Sequence, residues 1–270
     1  MARMAAVSTN TYHGFSLDEA LNGIAKAGFR HVELTGVRGW TEHVSADMTD
    51  AEIEAVKEKM AKLGLDCIAL SGHCNLMDAE RLNDFMDNVR LCKKLGGKFI
   101  VTSTGEAHFG NNEDSPEELL VGNIKKVMPL VEELDLIMVL EIHGEHGTGT
   151  KLLPVVEKVG SPHLAINFDT ANVVFYGKTP PEVDLPKCVD KVKYVHLKDK
   201  LGAQDEWNFP AIGKGNLKLK ETIALLDAAN NDSPVSVEVE FTSAGPANVG
   251  EVDQALVDSY AFLKSIDCVG

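Results

Sequence analysis

Short runs of β-branched and apolar residues alternate along this chain with longer segments whose apolar positions recur every three or four residues. The first pattern suits buried strands and the second suits helices with one face on a core. Strict alternation of the two implies parallel strands joined by crossover helices. The runs predict strands at Met4–Ser8, His31–Gly36, Leu65–Gly72 and Lys98–Thr104, then at Leu136–His143, Leu164–Thr170, Val192–Asp199 and Pro234–Phe241. The periodic segments predict helices at Ser16–Ala27, Thr49–Leu63, Asp78–Leu95, Pro116–Leu134, Lys151–Val159, Pro181–Asp190, Leu217–Asn230 and Val252–Ile266. Several boundaries have local causes. Ser16 followed three residues on by Glu19 forms a capping box, and Gly28, Gly64 and the Gly96-Gly97 pair stop helices.

Eight strand–helix units in 270 residues match a closed barrel of α/β class, a parallel eight-stranded (β/α)8 TIM barrel. An open doubly wound sheet would use the same alternation, but no GxGxxG follows the first strand. No linker or low-complexity stretch divides the chain, so one domain over 1–270 is expected.

In such barrels the chemistry sits at the C-terminal ends of the strands. Four strand ends in the second half carry ionisable residues: Glu141, Asp169, His196 and Glu238. Their gaps of 28, 27 and 42 residues are each about one β/α unit, the last lengthened by a loop, so the four side chains can converge above the barrel. Three carboxylates in one partly buried site repel each other, and a divalent cation removes that cost. Three oxygen donors with one imidazole suit manganese first, with magnesium, cobalt or zinc as alternatives. Glu240 lies two residues beyond Glu238 and shares its face, so it competes for the fourth ligand position.

Composition narrows the partners. A formal net charge of −15 argues against nucleic acid and anionic membrane surfaces. The odd cysteine count of five, without CxxC, argues against a disulfide framework or a zinc knuckle. The N-terminus lacks a long apolar stretch and no run of about 20 apolar residues occurs, so neither a signal peptide nor a membrane span is expected and a cytoplasmic location is. Neither GxSxG nor a P-loop is present.

The second half also resembles the xylose isomerase-like TIM-barrel superfamily, in its sugar phosphate isomerase/epimerase branch. The resemblance is carried by LEIHG and NFDTAN, by VHLKDK, by the Gly-x-Gly loop of AIGKGNLKLKETIALL and by VSVEVE. It is densest from Leu140 to Glu240, and the first half agrees mainly in rhythm. It implies that Glu141, Asp169, His196 and Glu238 hold the metal and that Glu141 and Glu238 exchange a proton with a carbon beside a carbonyl. The chemistry stands independently: a cation polarising a carbonyl and an adjacent hydroxyl acidifies the C–H between them, giving a cis-enediolate. A glutamate on each face can then remove and return the proton. Two positions depart from the ketose 3-epimerase pattern, and both argue against a free-ketose 3-epimerase. Asn172 stands where those enzymes place a histidine, and no arginine follows His196 within ten residues.

Further candidates for contact with a small carbohydrate are His143, on the face of Glu141, and Lys198, on the face of His196. Lys198 is either a substrate ligand or a rim lysine paired to Asp199. Glu33 and His73 end the second and third strands, and Asn172 caps or lines the mouth. His108, Trp207 and Phe209 fall on loops at the barrel top, where aromatic faces pack on sugar rings. The leading function is a metal-dependent isomerase or epimerase of a small sugar, keto-sugar or polyol. A lyase expelling a β-substituent, such as a keto-inositol dehydratase or a keto-glycoside-cleaving enzyme, is the alternative. An apurinic endonuclease is disfavoured by charge and by few histidines, and a non-catalytic binding subunit is the remaining rival. The resemblance also raises association into a dimer or tetramer through outer helices.

Overall fold

The computed structural model describes residues 2–105 and 117–269. Eight parallel strands close on themselves in the order β1, β2, β3, β4, β5, β6, β7, β9. They are β1 (Ala5–Ser8), β2 (His31–Thr35), β3 (Asp66–Ser71), β4 (Phe99–Thr102), β5 (Ile137–Glu141), β6 (Leu164–Asp169), β7 (Val192–Leu197) and β9 (Val235–Val237). Closure comes from β9, which pairs in parallel with both β7 and β1. The crossover helices are α1 (Leu17–Ala27), α2 (Asp50–Lys62), α3 (Leu82–Leu95), α4 (Glu117–Glu133), α5 (Gly149–Val159), α7 (Pro181–Cys188), α8 (Leu219–Ala228) and α9 (Val249–Ser265). Among the described residues no helix is long and apolar enough to cross a membrane.

Local chemistry explains the frame. The Ser16 side chain accepts from Glu19 N–H while Glu19 reaches back to Ser16, and Thr49 and Glu52 repeat the same box on α2. Each such cap contributes about 1 kcal/mol. Gly28 and Gly96 close α1 and α3 in the left-handed region, which glycine adopts without a Cβ penalty. A large apolar shell joins helices to the outer faces of the strands. Inside the barrel, a separate apolar cluster including Ala6, Val101, Val139, Ala165 and Tyr194 fills the N-terminal end. One alternation further along, the interior turns polar at Ser8, Glu33, Glu141, Asn167, His196 and Ser236, all buried.

Beyond shifts of a few residues at element ends, three differences from the sequence reading have a visible reason. The predicted helix start at Asp78 is a 3-10 turn over Ala79–Arg81, capped by the Asp78 side chain, and the α-helix begins only at Leu82. A four-residue helix, α6 (Asn172–Phe175), stands on the end of β6, too short to leave a periodic signal. The run predicted as a strand to Phe241 leaves the barrel after Val237. Phe241 has φ 58°, a left-handed conformation costing a bulky residue on the order of 1–3 kcal/mol. It then pairs antiparallel, as part of β10 (Phe241–Thr242), with β8 (Asn208–Phe209).

Candidate metal and carbohydrate site

The strand ends of β5, β6 and β7 and the residue after β9 bring Glu141, Asp169, His196 and Glu238 together. One donor atom from each lies within 4.8 Å of the others, and all four residues are buried. His196 Nδ1 sits 3.5 Å from Glu141 Oε2, 3.7 Å from Glu238 Oε2 and 4.0 Å from Asp169 Oδ2. Buried polar atoms are nearly always hydrogen-bonded. His196 Nδ1 and Asp169 Oδ2 are not, and both point to the centre of the cluster.

Each donor is braced from behind. His196 turns Nε2 to Glu33, 3.0 Å from both carboxylate oxygens, and Tyr194 Oη donates to Glu33 Oε2 at 2.8 Å. A carboxylate on Nε2 fixes the tautomer that leaves Nδ1 as a lone-pair donor. Asp169 Oδ1 accepts the N–H groups of Ala171 and Asn172, both at 2.8 Å, which starts α6 and leaves Oδ2 inward. Glu141 accepts from Asn172 Nδ2 at 2.9 Å and meets His73 Nε2 at 2.8 Å. His73 Nδ1 in turn meets Ser71 Oγ at 2.9 Å. Lys198 Nζ lies 2.8 Å from Glu238 and from Glu240 and 3.4 Å from Asp169.

Five carboxylates, those of Glu33, Glu141, Asp169, Glu238 and Glu240, therefore face Lys198, His196 and His73 in a largely buried cluster. Their mutual effects are visible in the acidities. Burial pushes Asp169 up to about 6 and Glu240 up to about 7, with Lys198 opposing in each case. Burial also disfavours charge on His196, but Glu33, Glu141 and Glu238 outweigh it and hold the imidazole well above its ordinary value. Burial works against ionised Glu141 too, and His196 and His73 overcome it, keeping that carboxyl well below the usual range. Such an excess of buried negative charge is costly unless protons or a cation neutralise it. The inward pair without hydrogen bonds and the oxygen-rich donor set fit a divalent ion. A cation there would displace the proton that the carboxylates draw to His196.

Above the donors a cleft opens to the barrel mouth. His73, His143, Asn172 and Lys198 line it, together with Glu141, Glu238 and Glu240. Glu33 does not; it is fully buried behind His196. Lys198 turns to the acidic cluster, while Asp199 holds the following loop by accepting N–H groups from Gly213, Gly215 and Leu217. Trp207 lines the cleft, Phe209 is buried beneath it, and His108 lies outside the described residues. Sequence reasoning overlooked Asn10, whose amide donates to Glu238 at 3.0 Å and Glu240 at 3.2 Å. Its place just past the C-terminal end of β1 was the available signal. Tyr176, packed 4.6 Å from the His143 ring, was also missed, because it follows the unforeseen α6.

A family model described as xylose isomerase-like TIM barrel matches residues 21–266. No curated protein matches the chain. Among solved structures, L-ribulose 3-epimerase is similar over 99% of this chain and 95% of its own, with 18% identity and a TM-score of 0.75. D-psicose 3-epimerase from Clostridium cellulolyticum H10, solved with D-tagatose, aligns over 99% and 100% at 12% identity and a TM-score of 0.78. A xylose isomerase-like TIM barrel protein from Mycobacterium smegmatis, in complex with magnesium, aligns over 99% and 97% at 15% identity and a TM-score of 0.78. At these identities the likeness concerns the fold.

Proposed function

The chain belongs to the xylose isomerase-like TIM-barrel family, and from that premise we propose that it is a divalent-metal-dependent isomerase or epimerase of a small sugar, keto-sugar or polyol derivative. The observation that carries this reading is the pair of buried inward atoms without hydrogen bonds, His196 Nδ1 and Asp169 Oδ2, set among the carboxylates of Glu141 and Glu238. Manganese is the preferred ion, ahead of magnesium, cobalt and zinc, for the oxygen-rich donor set. When bound, the ion supplies polarisation of a carbonyl and its neighbouring hydroxyl, which acidifies the C–H between them.

The chain's own groups do the rest. Glu141 and Glu238 stand three strands apart round the barrel, so they approach a substrate between them from different sides. One removes the proton from carbon to give a cis-enediolate, and the other returns a proton to the opposite face. Asn172 and His73 hold the Glu141 carboxylate by its two oxygens and so fix its aim. Lys198 is placed to pair with the enediolate oxygen as negative charge develops. His143, on the cleft wall, serves substrate hydroxyls.

A lyase of the same family is the second reading. It is favoured by Asn172 at the position where a ketose 3-epimerase carries histidine, and by Glu240, a further carboxyl in the cleft beyond the proton-exchanging pair. The test is metal analysis of the purified protein, then incubation of the manganese-loaded form with a panel of ketoses and keto-glycosides in D2O. An isomeric sugar with one solvent deuterium supports the isomerase, and an eliminated water or aglycone supports the lyase. Protein that takes up no divalent ion at the four donors would end both readings.

A further inference from the structure

The cleft above the donors is not a closed cup. A second depression of about 1220 Å³ to its open mouth runs from its side, and the two share Asn10, Trp40, Trp207 and Glu240 as a common wall. From that wall the groove passes over Val239 and Phe241 toward the turn at 243–246. Its sides are flat rings. His13 stacks on Trp40 with centroids 4.4 Å apart and planes 20° from parallel. The Trp40 indole N–H donates to Asn10 Oδ1 at 3.1 Å, which tethers that stack to the residue bonded to Glu238 and Glu240. Trp207 is held edge-on by Phe209 at 5.0 Å and by Phe175 at 5.7 Å. Beyond the end of the barrel strand, Phe241 adopts a left-handed backbone, pairs with β8 and lines the groove.

The polar groups nearest the cleft are already committed. Asn10 donates to two carboxylates and accepts from Trp40 and Thr41, and Glu240 is bonded to Asn10 and Lys198. Thr11 and His13 are likewise engaged, with Val239 N–H and with Thr41, which leaves the side-chain hydroxyls of Thr242 and Ser243 at the far turn. A second sugar ring beside the cleft would find few partners, whereas an apolar ring needs none. Continuity with the donor site decides what the ring belongs to.

We propose that this groove receives an aromatic group joined to the sugar that reaches the four donors, so that the substrate class is an aryl glycoside whose sugar carries a ring ketone, rather than a free monosaccharide. This rests on reading the donor cluster as a carbohydrate site. The wall shared by Trp40 and Trp207 then marks the glycosidic linkage, with the reacting carbons on the Glu141 side and the aglycone over Phe241.

Calorimetric titration of the purified full chain with methyl β-D-glucopyranoside, phenyl β-D-glucopyranoside and cellobiose tests it. The phenyl glycoside is expected to bind about tenfold more tightly than the methyl glycoside. Ala244→Trp, in the turn that lines the groove only, should fill the space and bring the two affinities together; Ser243→Trp is the second route if the first variant melts early. Equal affinities in the native chain, or a phenyl advantage that survives both substitutions, would overturn the proposal. Cellobiose binding more tightly than the phenyl glycoside would overturn the aromatic assignment. Manganese uptake and deuterium incorporation into a ketose report on the functional reading separately, since neither depends on the groove.

Discussion

The two halves of the barrel ring contribute unlike chemistry. Strands β5, β6, β7 and β9 end in the four side chains that converge, Glu141, Asp169, His196 and Glu238. Strands β1, β2 and β3 end in groups that touch those four from outside: Asn10 on Glu238, Glu33 on His196 and His73 on Glu141. The second half supplies all four converging side chains and part of their bracing, through Asn172 and Lys198, while the first half supplies bracing only. A donor needs only to be the right type at a strand end. A brace must match the position of a side chain far away in sequence, and so carries little local signature.

Substitutions separate these roles by size of effect. Glu141→Gln and Glu238→Gln should each lower turnover about 10²–10⁴-fold with melting behaviour retained, since general acid–base groups contribute on that scale. Native rates in either variant would remove the proton-transfer assignment. Glu33→Gln keeps shape and removes charge, so it should weaken manganese binding about 10–100-fold while the four donors remain. Unchanged metal affinity would reduce Glu33 to a packing residue. On the frame, Ser16→Ala and Thr49→Ala should each cost about 1 kcal/mol in denaturant unfolding and leave metal binding untouched. An effect on the metal would show that the outer helices are coupled to the cluster.

The smallest effect is a pH slope confined to the first half. Burial lowers the pKa of His43 below its ordinary 6.5, and its Nε2 lies 3.0 Å from the Phe15 carbonyl oxygen. A depressed folded-state value means that the unfolded chain binds the proton more readily. The stability this histidine contributes is therefore present above 6.5 and is lost as pH falls toward its folded value. His43→Asn should flatten the decline of unfolding free energy below about pH 6.5, by less than about 1 kcal/mol. An identical slope in the variant would assign the decline to other groups.

Much of the frame was legible because its causes are local. The capping box at Ser16–Glu19 needs only two residues at the right spacing, and strand ends repeat at the length of a β/α unit. The donors were legible for the same reason. Glu240 was harder. Period-two alternation places it on the face of Glu238, yet the strand ends at Val237, before both, so strand alternation does not govern them. Lys198 nevertheless reaches both, and Glu238 alone of the two joins the four donors. The helix at Asn172 was hidden because four residues carry no period, although Asp169, which accepts the N–H groups of Ala171 and Asn172 at its start, was already in view.

The sequence by itself determined the alternating elements, their caps and the kinds of atom at the strand ends, because these follow from residue type and short-range spacing. Only the closed barrel decided which atoms face which. Pairing of β9 with β1 brings Asn10 to Glu238 across 228 positions, and packing through the ring sets Glu33 against His196 across 163. Those contacts are products of closure, and a linear pattern does not contain the register at which a ring closes.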